Sequence, residues 1–194
     1  NPLDKRDKND LGRFGLGLKT ASFSQCRSLI VISKKENVTS SVKWDLDSIA
    51  QSDDNDWILA VLNEGDVNSI SELLILRKEY LAQNSEGTIV LWQKMDRLES
   101  GLSKQSQEIK FNELINSVRQ HLELVFHRFL LPDIGKRKVN IFFNKDKLEA
   151  FDPFNSAKSV ELRKEEFLFE NESIYIQPYI LPHHNKVTKL EWEK

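Results

Sequence analysis

Gly12-Arg13-Phe14-Gly15-Leu16-Gly17-Leu18-Lys19-Thr20 is the stretch on which the reading of this chain turns. Its three glycines stand at i, i+3 and i+5 and lead into Lys19-Thr20-Ala21-Ser22, a run compatible with the opening of a helix. Glycine takes positive φ and lets a ligand approach the backbone with no Cβ in the way. A helix start beyond it offers unpaired N–H groups and the positive end of the helix dipole, which together suit a phosphate. Two familiar phosphate loops do not fit. Walker A places Lys directly after its last glycine, whereas here Leu18 separates Gly17 from Lys19, and the lead-in Asp7-Lys8-Asn9-Asp10 is no apolar strand. The dinucleotide fingerprint asks for a glycine where Thr20 stands. On spacing alone, a glycine-rich turn that caps a helix explains the stretch equally well.

Extended through Ala21-Ser22, the same residues resemble the ATP-lid glycine motif of the GHKL ATPases, the superfamily of gyrase B subunits, heat-shock chaperones, histidine kinases and MutL. The Leu18-Lys19-Thr20-Ala21-Ser22 continuation is most similar to the microrchidia-type branch and its bacterial relatives. Glu86-Gly87-Thr88-Ile89-Val90-Leu91-Trp92 resembles the Gly-Thr motif of that superfamily, in which the threonine hydroxyl lies near the nucleotide. The order of the two motifs also matches.

The resemblance implies ATP and Mg²⁺ as cofactors and an α/β (α+β) fold: part of a two-layer sandwich, with helices on one face of a mixed sheet. Residues 1–135 then form the later part of the ATP-binding domain, and 136–194 start a second, transducer-like domain. Asn140-Ile141-Phe142-Phe143 and the residues after it, through Phe154, look like that start, and Gln177-Pro178-Tyr179-Ile180-Leu181-Pro182-His183 like its continuation. The implied phosphate-binding set is Gly12, Arg13, Phe14, Gly15, Leu16, Gly17, Leu18, Lys19, Thr20 and Thr88. Within it, backbone N–H groups of residues 14–18 wrap the β- and γ-phosphates, and Lys19 supplies a cation or stands solvated. Arg13 closes over the γ-phosphate or caps an acidic neighbour. Thr88 hydrogen-bonds a phosphate or a water, or is an ordinary β-branched strand residue. The glutamate and asparagine that activate water and hold Mg²⁺ in the superfamily, and its adenine-reading Asp-x-Gly-x-Gly, are not assignable in this chain. Only Asp4, Asp7 and Asp10 precede the glycines as acidic residues, so these parts are expected upstream of Asn1 in a longer parent.

Composition sets bounds. Apolar residues at 39%, with eleven Phe and four Trp, are enough for a core, so wholesale disorder is excluded. A net charge of −2 gives no overall footprint for nucleic acid or an anionic membrane. The single Cys26 excludes an internal disulfide framework. No signal peptide and no apolar run near the roughly 18 residues of a membrane span is evident, so a cytoplasmic protein is expected. A start at Asn1 in place of Met reads as a fragment or a processed product.

Along the chain, residues 15–25 predict a short helix with Leu18, Ala21 and Phe23 available to pack inward. Ser28-Leu29-Ile30-Val31-Ile32-Ser33 reads as a strand covered on both faces, and 39–45 as its hairpin partner. Residues 57–62 read as a third strand, 69–83 weakly as helix, and 87–94 as a strand. The acidic run 53–56 reads as a solvated loop, lacking the glycine and glutamate offsets of a calcium loop. Phe111, Leu114, Ile115, Val118, Leu122, Val125, Phe126 and Phe129 form one helical stripe within 107–131, ended near Pro132. Strands are expected over 138–143, 160–169 and 173–181. His121, His127, His183 and His184 lack metal-ligand company, and Cys26 reads as core.

Three functions compete. The first is a GHKL-type ATP-binding module working as a conformational switch, with a homodimer formed on lid closure. The second is a non-catalytic interaction domain that kept the fold. The third is an ATP-driven DNA-handling protein of the MutL or gyrase type, which the charge does not favour. The isolated 194-residue chain is expected to be inactive in hydrolysis.

Overall fold

Leu29, Ile30 and Ile32, each fully shielded from solvent, make β1 (Ser28–Lys35) the centre of a four-stranded sheet. The structure, a computed structural model, describes residues 16–52, 57–96, 103–136, 138–170 and 172–189. Gly12, Arg13, Phe14, Gly15 and the acidic loop 53–56 therefore lie outside the described residues. The chain divides into two compact units, residues 1–107 and 108–194.

In the first unit, β1 pairs antiparallel with β2 (Val38–Asp45) on one side and with β4 (Gly87–Gln93) on the other. The β1–β2 turn needs only Glu36 and Asn37, both at positive φ (50° and 66°), the geometry of a tight two-residue hairpin. The third strand is shorter than its sequence suggests. Only β3 (Ala60–Val61) pairs with β2, while Trp57, Ile58 and Leu59 stay exposed. The α+β class is as the sequence implies, and every pairing among the described residues is antiparallel.

Side-chain alternation along β1 explains burial on both faces. Ile30 and Ile32, with their cross-strand neighbours Leu91 and Ile89, point toward α3 (Glu64–Asn68), α4 (Ser71–Leu76) and a π-helical turn, Arg77–Leu81. Val67, Leu73 and Leu81 complete that core. Asn63 and Asp66 start α3 with a reciprocal capping box. On the opposite face, Leu29 lies level with Trp44 and Trp92, and α1 (Gly17–Phe23) covers this end. The described helices of this unit thus stand on both faces of the sheet.

The inward face of α1 differs from the expectation. Ser22 is the buried residue, whereas Leu18 is 47% exposed and Ala21 is also exposed. Lys19, Ser22 and Cys26 follow the i, i+3, i+7 spacing of one helical side, and Leu18 and Ala21 sit one step round from it. A short α2 (Leu46–Ala50) follows β2, with the Asp45 carboxylate accepting from the Asp47 N–H.

In the second unit the predicted long helix is present as α5 (Lys104–Val125), whose first turn carries the unit boundary, and α6 (His127–Leu130). None of the α5 residues is buried. Phe111, Leu114, Val118, Val125 and Phe129 of the predicted stripe are exposed, and Ile115, Leu122 and Phe126 only half-buried. The stripe is real as a pattern, but no described element of this unit seals it. What packs here is smaller: Leu130 and Leu148 are buried, and Phe154 stacks on Tyr179 at 4.7 Å. Two-residue pairings, β5 (Phe142–Phe143) with β6 (Asp146–Lys147) and β7 (Val160–Glu161) with β10 (Tyr179–Ile180), accompany the hairpin of β8 (Glu165–Phe169) and β9 (Glu172–Ile176).

Candidate nucleotide-binding site

Of the ten sequence-predicted site residues, the structure describes Leu16, Gly17, Leu18, Lys19, Thr20 and Thr88. The first five open α1. Leu16 occupies the N-cap with no side-chain hydrogen bond closing the helix start, so the first-turn N–H groups keep the openness common to helix ends. Leu16, Gly17 and Leu18 are all exposed, and a Cβ built on Gly17 meets nothing within 4 Å among the described residues. That empty space beside bare backbone is what a phosphate-binding turn requires. Thr20 is turned inward on its own helix: its hydroxyl is 3.0 Å from the Leu16 carbonyl, to which it donates.

Lys19 is half-buried, and its ammonium sits 5.7 Å from the centre of the Trp44 ring. That contact is a cation–π attraction of modest strength. It is the only interaction Lys19 makes among the described residues. The neighbouring cations are committed elsewhere. Lys94 contacts both Asp45 oxygens at 3.0 Å and Asp47 at 2.7 Å, Arg27 contacts Asp47 at 2.6 Å, and Lys43 contacts Asp45 at 3.2 Å. Burial works to raise the Asp45 carboxyl, but bonds from Lys94 and Lys43 outweigh it and hold it below the usual range. Lys94 and Arg27 do the same for Asp47. This network ties the ends of β1, β2 and β4 together.

Thr88 opens β4 opposite Ser33, with the two hydroxyl oxygens 3.4 Å apart and Thr88 exposed. Thr88, Val90 and Trp92 alternate onto the face that carries α1, and the Trp92 indole N–H donates to the Ser22 hydroxyl at 2.9 Å. Thr88 and α1 therefore share one sheet face. They are not side by side, since Thr88 lies four residues, about 13 Å, along the strand from Trp92. Gly87 has a structural role of its own: a Cβ there would stand 2.8 Å from Leu81 Cδ2.

Sequence reasoning did not single out Ser22, Trp44 or Trp92. Placing Leu29 against Trp44 follows once the hairpin register is set by the Glu36-Asn37 turn, whereas placing it against Trp92 depends on how β4 pairs with β1. Cys26 is buried and desolvation pushes its thiol up, as befits a core residue. His127 Nδ1 is 2.6 Å from the Leu124 carbonyl, and His183 caps a 3₁₀ turn, His184–Lys186. Among the described residues, no three His, Cys, Asp or Glu side chains are grouped as metal ligands, and no helix is long and apolar enough to cross a membrane.

The described start of α1, with Gly17 exposed, and the Thr88 side of β4 lie on one face of an α+β sheet. Residues 1–75 match the family model described as "Histidine kinase-, DNA gyrase B-, and HSP90-like ATPase", which supports the GHKL superfamily. That match takes in the glycine turn, α1, the β1–β2 hairpin and most of α4; Thr88 lies beyond it. No curated protein and no solved structure matches the chain.

Proposed function

We propose that this chain supplies the phosphate-holding part of a GHKL-type ATPase that works as a nucleotide-driven switch, nearest to the microrchidia-like branch. The observation that carries the reading is the open space at Gly17 within a segment that matches the ATPase family. Backbone N–H groups of residues 14–18, Gly15 among them, hold the β- and γ-phosphates of ATP, flanked by Gly12 and Arg13. Lys19 leaves the Trp44 ring to meet them, Thr20 braces the turn from within α1, and the Thr88 hydroxyl bonds a phosphate or its water. ATP bound with Mg²⁺ supplies the charge that orders the turn. No residue of this chain is assigned as the base, the Mg²⁺ ligand or the adenine reader. Residues 136–194 begin a transducer-like domain that passes closure to a partner, a second copy of the protein included.

A phosphate-only site makes a distinctive prediction. Displacement of a fluorescent ATP analogue should follow phosphate number, with ATP and tripolyphosphate ahead of ADP and AMP far behind, while GTP competes as well as ATP. Turnover of ATP by the pure 194-residue chain should stay at background. Equal displacement by AMP and ATP would contradict the assignment.

A non-catalytic interaction domain is the second reading, favoured by the exposed apolar stripe on α5 and by exposed Phe167, Leu168, Phe169 and Ile174 on the β8–β9 hairpin. It predicts no saturable nucleotide binding at all.

A further inference from the structure

We propose that the pocket between the hairpin end of β1–β2 and the α4–π stretch is a second anion site. It would take a small molecule that joins one phosphate or carboxylate group to a short apolar body. The cavity measures about 330 Å³. That is near the lower end for small-molecule sites, and too small for a folded partner.

Its walls are cationic in a chain that is acidic as a whole. Lys34, Arg77 and Lys78 face Glu64 alone among lining charges, which leaves a local excess of two positive charges (three minus one) against −2 for the chain. Two of these cations are held in place. Lys34 donates to the Leu81 carbonyl at 3.0 Å, leaving two of its three N–H groups for a ligand. Arg77 donates through Nη1 to Asn68 Oδ1 at 3.1 Å, while its Nη2 stands 3.9 Å from Glu64, beyond hydrogen-bonding distance. Its remaining N–H groups keep the planar fork that suits phosphate and carboxylate. Lys78 is exposed and makes no ion pair among the described residues.

The π turn brings these groups together. Wider than an α turn, it is a feature frequent at functional sites, and here it sets Arg77, Lys78 and Leu81 on one rim. Thr39 adds a hydroxyl, and Leu74, Leu81 and Ala82 form the apolar part of the wall. Lys34 pairs with Gly87 and Ser33 with Thr88, so by strand alternation this pocket and Thr88 lie on opposite faces of the sheet. A ligand here does not compete for the nucleotide site.

The test uses the 194-residue chain labelled with ¹⁵N and titrated with phenyl phosphate, benzoate and, as a cationic control, phenyltrimethylammonium. Phenyl phosphate or benzoate should move the amides of Lys34, Thr39, Lys78 and Ala82 saturably, and the cation should not. The stronger of the two anions identifies the head group. Lys78→Glu, at an exposed position, should weaken binding about ten-fold without altering the fold, and Arg77→Gln with Lys78→Gln should weaken it further. Lys19→Gln and Thr88→Val should leave it unchanged. The proposal is overturned by shifts centred on residues 16–20 and 88, by affinity unchanged in Lys78→Glu, or by no saturable shift with either anion.

Discussion

The Trp92 indole N–H donates to Ser22 Oγ at 2.9 Å, which ties β4, the strand that carries Thr88, to α1. Ser22 is fully buried and Trp92 is partly exposed, so the bond is sheltered on one side only. Removing the hydroxyl leaves the indole N–H without this acceptor, on a side chain that is itself partly exposed. Ser22→Ala should therefore cost about 0.5–1 kcal/mol, near the lower half of what a net hydrogen bond contributes. A double-mutant cycle with Trp92→Phe, read by urea unfolding, should return most of that amount as coupling. Simple additivity would show that the helix is not held to β4 through this bond.

Two glycines of the paired motifs should respond in opposite ways to the same change. A methyl group at Gly17 meets open space inside a helix, so Gly17→Ala should be neutral or stabilising by up to about 1 kcal/mol. At Gly87 the new Cβ would stand 2.8 Å from Leu81 Cδ2, and Leu81 is buried in the core. Gly87→Ala should cost about 1–3 kcal/mol, the range for overpacking, unless Leu81 rotates away. Midpoints of thermal unfolding distinguish the two, and equal effects would contradict the packing described.

Acid should loosen the end of the sheet where Asp45 and Asp47 meet Lys94. Asp45 and Asp47 are held below their ordinary range when folded, so in acid the unfolded chain binds more protons than the folded one. Their contribution is complete above about pH 4, the ordinary carboxylate value, and disappears as pH falls through the lower folded values. Lys94 is raised by the same two carboxylates, so its share is lost only in strong alkali. Lys94→Met should lower the unfolding temperature at pH 7 and flatten its fall in acid, the two curves drawing together as pH falls below about 4. Parallel curves throughout the acid range would show that Lys94 does not hold these carboxylates.

Much of the first unit was legible from residue order. Ser28-Leu29-Ile30-Val31-Ile32-Ser33 has the unbroken apolar character of a strand covered on both sides, and its alternate residues do meet different layers. The length of β3 was not legible, because pairing there depends on how far β2 stays open at Val42 and Lys43. The inward side of α1 was misread for a different reason. Counting apolar residues favours Leu18 and Ala21, but the floor below offers a Trp92 N–H, and a small hydroxyl residue answers it better. The α5 stripe illustrates the limit of periodicity. It predicts the helix, yet says nothing about whether another element covers the stripe. Of the candidate site, Thr88 and the start of α1 could be named from motif resemblance, while their shared face required the strand register.

The central claim is that the backbone at the start of α1 receives the phosphates of a nucleotide. Gly17→Val tests it most directly, because a Cβ there meets nothing within 4 Å among the described residues and the change should leave the fold intact. With unfolding midpoints of the two proteins matched, titration with a fluorescent ATP analogue should show saturable binding by the parent chain and at least ten-fold weaker binding by Gly17→Val. Undiminished binding by the variant would contradict the account.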